Sequence, residues 1–293
     1  MIYQLPKIGL ILVSLLSVLC LSCSGQSQDT TIQEEQDKPV QETVTEVSIT
    51  SIGEIPPPEG FERLWVDSSH IGNYFRKLSL KSDNIVYLFN GQEKGNQHAQ
   101  YRVLDIDVGT RNLQQCADAV MRLRADYLYH FGRHDEIRFH FTNGDYAAWS
   151  KYANGYRGRI VNNHLQWNRI AQPDSSYSTF RKYLNLVYSY AGTASMDKEV
   201  EPIPFSDIQP GDVFHQTGRP YGHAVTVMDV VVDSNGNRQF MLAQSYMPAQ
   251  EIQILTNPNN SWISPWYAVS EIDDELVTPE WTFDRNSLMR FPD

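Results

Sequence analysis

The chain has 293 residues, 41% of them hydrophobic, and a formal net charge of −11. That is enough apolar material for one large domain or two small ones. The acidic balance excludes a basic surface for nucleic-acid phosphates and is a poor match to an anionic membrane.

Lys7 precedes an almost unbroken apolar run, Ile8 to Leu21, too short and wrongly flanked for a transmembrane helix and shaped like a secretory signal peptide. The run closes on Leu21-Ser22-Cys23, a small residue before cysteine as at a bacterial lipobox, with Cys20 where an aliphatic residue is usual. Cleavage there makes Cys23 a lipidated N-terminus, and ordinary cleavage is the alternative. Residues 1–23 thus read as a signal peptide with a lipobox-like end. Residues 24–55, polar and acidic, read as a disordered tether. Pro56-Pro57-Pro58 marks the boundary of a single α+β domain over 56–293.

Within that domain, Ser68 or Ser69 caps a short helix over 68–80, and residues 85–90 and 101–108 read as strands. Asn112 to Phe131 is the longest helical signal, with apolar or small residues at 113, 116, 117, 120, 123, 127, 128 and 131. Thr110 or Asn112 is its cap, which puts Cys116 in about the first turn, where the helix dipole lowers a thiol pKa. Cys116 also shares a face with Leu113, Ala117 and Val120, so a plain core position is the competing reading. With Cys20 removed and Cys23 acylated, it has no disulfide partner.

Residues 137–142 alternate as a strand and end in Asn143-Gly144. Trp149, Tyr152, Tyr156, Arg157, Arg159 and Trp167 crowd residues 145–170; they read as packed on the sheet, with a glycan or peptide carboxylate site as the functional alternative. Residues 176–191 form a second amphipathic helix, ended by Gly192.

The stretch 209–248 carries the chemistry. A Pro210-Gly211-Asp212 turn opens a strand at Val213, Gly222-His223 opens a long apolar strand, and Asn235-Gly236 turns it back into a third, Gln239 to Tyr246. A tight two-residue turn there sets Pro248 opposite His223, then Tyr246 and Gln244 along the same face, so Gln244 reaches the ring only with a bulge. In the tail, Trp262, Trp266 and Trp281 read as covers for a core edge. There is no Gly-rich phosphate loop, and His130 and His134 are separated by Gly132 at a helix end, so no metal or cofactor is expected.

A thiol and an imidazole in this order are what acyl transfer needs. GDVFHQTGRPYGHAVTVMDV resembles the sheet of the NlpC superfamily of papain-like cell-wall peptidases and amidases. The resemblance implies an antiparallel sheet with the Cys116 helix packed on it. It makes Cys116 the nucleophile, His223 the base and Gln244 the residue that orients the ring, with Ser245 and Tyr246 as alternatives. Gln114 or Gln115 is the candidate oxyanion donor. The chain has Gln-Gln-Cys-Ala-Asp where that family has an Asp-Cys-Ser-Gly type signature, and the spacing to His223 calls for an insertion over about 145–200.

The implied activity is cleavage of a peptide or isopeptide bond, with a peptide or peptidoglycan-type substrate. The implied location is the cell envelope, lipid-anchored, on the outer membrane or facing the periplasm, with membrane contact only through the anchor. The competing function is a non-catalytic envelope lipoprotein that binds glycan or peptide on a papain-like scaffold. Taken whole, the chain also resembles an uncharacterised family of exported bacterial lipoproteins through LDIDVG, QQCADAVMRLRA, GHAV, LAQSYMPAQ, SPWY and TPEWTF. That likeness implies membership and carries no activity.

Overall fold

The computed structural model describes residues 48–292, so the signal peptide, Cys23 and most of the tether lie outside the described residues. The domain begins ahead of the three prolines. Ile52 and Ile55 are fully buried with Phe75, Leu80 and Leu104, and Ser51 bridges to Ser79. Ile52 and Ile55 are therefore core, and the packed domain takes in the end of the expected tether: a single helical turn, Ile52–Glu54, holds the two isoleucines inward amid polar neighbours.

The first strand is Phe61–Arg63 (β1) and the first helix Ile71–Arg76 (α1). This helix is shorter than the expected 68–80 because its cap is His70, whose Nδ1 accepts from the Gly72 N–H at 3.0 Å. The Ser69 hydroxyl is turned to Asp67 instead, donating to it at 2.6 Å. Residues 85–90 form no strand; Tyr87 and Leu88 make isolated bridges to Glu93 and Gln250. Of the expected 101–108 strand, Gln100–Val103 (β2) is the regular part. The long helix is Cys116–His130 (α2).

A peripheral region follows. Arg138–His140 (β3) and Tyr146–Ala148 (β4) pair across Asn143-Gly144. Trp149–Ala153 (α3) leads into a second hairpin, Tyr156–Val161 (β5) with His164–Arg169 (β6). Tyr177–Tyr188 (α4), capped by Ser176, and Thr193–Met196 (α5) complete it. Trp149 and Tyr152 are buried with Phe180 and Tyr183 of α4 and with Ala117 and Val120 of α2. The aromatic residues at this segment's start are a packing face.

The remaining strands are Glu201–Pro202 (β7), Val213–Gln216 (β8), His223–Asp233 (β9), Arg238–Gln244 (β10), Gln253–Leu255 (β11), Trp266–Ala268 (β12), Glu275–Val277 (β13), Thr282–Asp284 (β14) and Leu288–Arg290 (β15). The main sheet runs β2-β11-β10-β9-β8-β15-β7, with β1 added to β9 and β12 to β10. Its pairings are antiparallel, so the domain is α+β.

Strand β9 is the axis of the protein, and its apolar run is explained by burial on both faces. Ala224 packs with Ala117 and Val120 of α2, and Met228 with Ala119 and Leu123. Val225, Val227 and Val230 pack on the other side with Phe240, Leu276 and Phe283. Of the three tail tryptophans, Trp266 is core and donates its indole N–H to the Pro56 carbonyl at 2.9 Å. Trp262, 96% exposed, covers nothing.

The β9–β10 register departs from a tight hairpin in two places. The turn is a longer loop: the Gly236 N–H donates to Asp233 O at 3.1 Å, the Asp233 N–H to Asn237 O at 3.0 Å, and Gly236 takes φ +85°. Further along, Met241 pairs with Asp229 and Leu242 with Val227, leaving Met228 as a bulge. Each irregularity moves the register by one residue. With Ala243 beside Thr226, the register extends to Gln244 beside Val225 and Tyr246 beside His223. Gln244 thereby falls diagonally across from the histidine, within reach.

Candidate functional site

Cys116 is the first residue of α2. Its cap is Gln115, not Thr110 or Asn112. The Gln115 N–H donates to Asp118 Oδ2 at 3.1 Å and its carbonyl accepts from Ala119 at 2.9 Å. Asn112 is engaged elsewhere, its Oδ1 accepting from the Ala249 N–H at 2.8 Å. Ser245 Oγ lies 2.9 Å from the Gln114 carbonyl and 2.8 Å from that of Gln250. The contacts of Ser245 with Gln114 and of Ala249 with Asn112 clamp the start of α2 onto the segment at and after the end of β10, and this tertiary demand fixes where the helix begins.

The sulfur lies against the backbone on either side of His223. Sγ is 4.0 Å from the Gly222 carbonyl oxygen, and the Ala224 N–H is directed at it from the other side. Position 222 has room only for glycine: a Cβ there would stand 2.3 Å from Gln216 O and 2.8 Å from Thr193 Oγ1. Burial pushes the Cys116 thiol up to about 11, against the backbone N–H groups of Ala117, Ala224 and Cys116, which favour the thiolate.

His223 is 1% exposed. Its Nε2 lies 2.9 Å from Gln244 Oε1, and its ring is packed among Tyr246, Trp281 and Phe283 at centroid distances of 4.9, 5.2 and 5.6 Å. Burial pulls its pKa down to about 4, with the Gln244 hydrogen bond opposing. Sulfur and imidazole are thus both uncharged at neutral pH, and no hydrogen bond joins them among the described residues. Of the three candidates for the orienting residue, Gln244 touches the ring nitrogen, Tyr246 packs against the ring at a tilt, and Ser245 serves the helix instead.

Behind Gln244 stands a chain that sequence reasoning missed. Gln244 Nε2 donates to Glu280 Oε2 at 2.7 Å; Lys94 Nζ meets the same oxygen at 2.6 Å, and Asn96 Nδ2 donates to Oε1 at 3.1 Å. No local pattern could have linked Lys94 to Glu280, which are 186 positions apart.

A cleft of ≈ 400 Å³ opens on the sulfur side, lined by Cys116, Gln115, Tyr188, Thr193, Tyr221 and Met247 among others. His223 sits behind Gly222, outside that lining. Of the two expected oxyanion donors, Gln115 borders the cleft. Gln114 is buried, its Oε1 accepting from Arg122 at 2.9 Å. Among the described residues no group of three or more His, Cys, Asp or Glu could hold a metal ion, and no helix is long and apolar enough to cross a membrane.

A family model described as a domain of unknown function (4846) matches residues 53–290. The chain belongs to this family. The matched span of the DUF4846 domain starts beside the buried Ile52, where the packed structure also starts. No curated protein and no solved structure matches the chain.

Proposed function

We propose that this DUF4846 protein is a cell-envelope cysteine peptidase or amidase acting on a peptide or isopeptide bond, with peptidoglycan-type peptides as the substrate class. The observation that carries the reading is the convergence of α2, β9 and β10. Cys116 lies at a helix start with its sulfur between the backbones of Gly222 and Ala224, and the intervening His223 is held by Gln244. A cysteine-headed helix laid across a strand that opens with Gly-His supports a papain-like, NlpC-type core. The segment carrying β5, β6, α4 and α5 then serves as the insertion that walls the cleft.

With thiol and imidazole both neutral, proton transfer accompanies attack. As sulfur bonds to the carbonyl carbon, the imidazole takes the thiol proton. The tetrahedral intermediate collapses with cleavage of the C–N bond, and the amine leaves carrying that proton. Water, deprotonated by the same imidazole, hydrolyses the thioester and restores the thiol. The backbone N–H of Cys116 and the amide of Gln115, both at the cleft, are the oxyanion donors of this reading. Export and a lipid anchor at Cys23 are part of the proposal and rest on the sequence of residues 1–23.

The test is to incubate the full chain, Cys116→Ser and His223→Gln with peptidoglycan fragments and mixed peptides, reading new amino termini by mass spectrometry. New termini from the wild type alone support the reading; none from the wild type, or the same set from all three, overturns it. The buried, un-ionised thiol favours one other function, a non-catalytic module that binds glycan or peptide. In that case the wild type retains fragments without cleaving them.

A further inference from the structure

The Gln244 side chain could in principle present either end of its amide to His223, and the choice decides which ring nitrogen is basic. Glu280 makes that choice. Lys94 Nζ has only protons to give, and it stands 2.6 Å from Glu280 Oε2, so that oxygen is an acceptor. The Gln244 amide stands 2.7 Å from the same atom and must present its NH₂ there. Its carbonyl oxygen is then the end that faces His223 Nε2 at 2.9 Å. An oxygen can only accept, so Nε2 donates. A neutral imidazole carries one N–H, which leaves Nδ1 with its lone pair.

The arrangement is braced on several sides. Asn96 Nδ2 holds the second Glu280 oxygen at 3.1 Å, and the Tyr246 hydroxyl reaches the Glu280 carbonyl at 3.5 Å. Trp281, next in the chain, lies 5.2 Å from the imidazole, centroid to centroid. The Lys94 and Glu280 side chains are only 6% and 13% exposed, so the pair is largely shielded from water. Burial, which keeps the imidazole neutral, makes the tautomer a real alternative and gives Glu280 something to decide.

We propose that Glu280 is a positioning residue: paired with Lys94, it orients the Gln244 amide and so holds His223 as the Nε2–H tautomer, with Nδ1 as the nitrogen that takes a proton. The catalytic meaning of this inference rests on the peptidase reading above, whereas its geometry stands apart from it.

The experiment uses the full chain with ¹⁵N-labelled histidine and long-range ¹H–¹⁵N spectra at neutral pH, His223 being assigned by its loss in His223→Gln. The wild type shows protonated Nε2 and unprotonated Nδ1. In Lys94→Met combined with Glu280→Gln no ammonium fixes the new amide, which can offer either end to Gln244, so Gln244 is free to turn and the Nδ1–H form rises to roughly half the population. On any peptide the wild type cleaves, kcat falls roughly tenfold or more while KM holds. Should the double variant fail to fold, Glu280→Ala, which takes away the acceptor that orients Gln244, gives the same readout.

A wild-type ring protonated on Nδ1 or on both nitrogens overturns the inference, as does an unchanged tautomer in Lys94→Met combined with Glu280→Gln or in Glu280→Ala. The predicted tautomer shift in a protein that cleaves nothing sinks the peptidase reading alone. Cleavage with an unmoved tautomer sinks this inference alone.

Discussion

Strand β9 carries two buried titratable side chains six positions apart, His223 at 1% and Asp229 at 0% exposure, and they are buried to different ends. Asp229 is saturated. Arg63 Nε reaches it at 2.8 Å, Arg76 Nη2 at 2.7 Å, and the Val230 N–H donates at 2.9 Å. The cluster pins β1 and α1 to the bulged part of β9, and no valence is left for a substrate. His223 is held by one neutral amide on Nε2, its second nitrogen takes no part in that bond, and a thiol lies against the backbone around it. Burial alone therefore marks neither residue as functional. What separates them is the capacity left over after the fold has used each side chain.

That comparison breaks most sharply in activity. His223→Gln removes the proton acceptor and lowers turnover by about 10²- to 10⁴-fold, while the denaturation midpoint stays near the wild-type value. Asp229→Ala does the reverse. It strands two arginines and costs roughly 3–5 kcal/mol of stability by chemical denaturation, with the His223 tautomer and per-molecule turnover retained at temperatures where it stays folded.

The pH response is the next largest effect. The folded-state pKa of His223 is lowered from 6.5 to about 4, so the unfolded chain binds the proton first as pH falls. The histidine's share of stability is fully present above 6.5 and is lost between there and 4, by roughly 3 kcal/mol in total. Urea denaturation across that range shows this slope, and His223→Gln flattens it. For Cys116 the sign reverses: its pKa is raised from 9.0 to about 11, so stability is lost as pH climbs between those values, and Cys116→Ser removes that loss. The smallest effect is that of Ser245→Ala, which unclamps the start of α2 and costs about 1 kcal/mol.

The sequence carried the site's ingredients better than its geometry. Gly222-His223 at a strand opening and an Asn-Gly turn were plain in the pattern. The reach of Gln244 was not, because it depends on the three-residue loop at Gly236 and the Met228 bulge, two single-residue shifts that local pattern does not specify. Cys116 heads its helix because Ser245 and Ala249 hold the preceding residues, so the local cap signals at Thr110 and Asn112 were overridden by tertiary contacts. Ile52 and Ile55 were hidden by polar neighbours, and Trp262 by its likeness to the buried Trp266. Glu280 looked like one acidic residue in a tail; its meaning exists only once Lys94 and Gln244 are beside it.

The central claim is that His223 acts as a base on Cys116, and the most direct measurement needs no known substrate. The native full chain and His223→Gln are treated with iodoacetamide at pH 7.5, and alkylation of the peptide containing Cys116 is followed by mass spectrometry. The account predicts that the wild-type thiol reacts roughly tenfold or more faster than the variant's. Equal rates, or a thiol that reacts only after unfolding, would contradict it and leave Cys116 as part of the core.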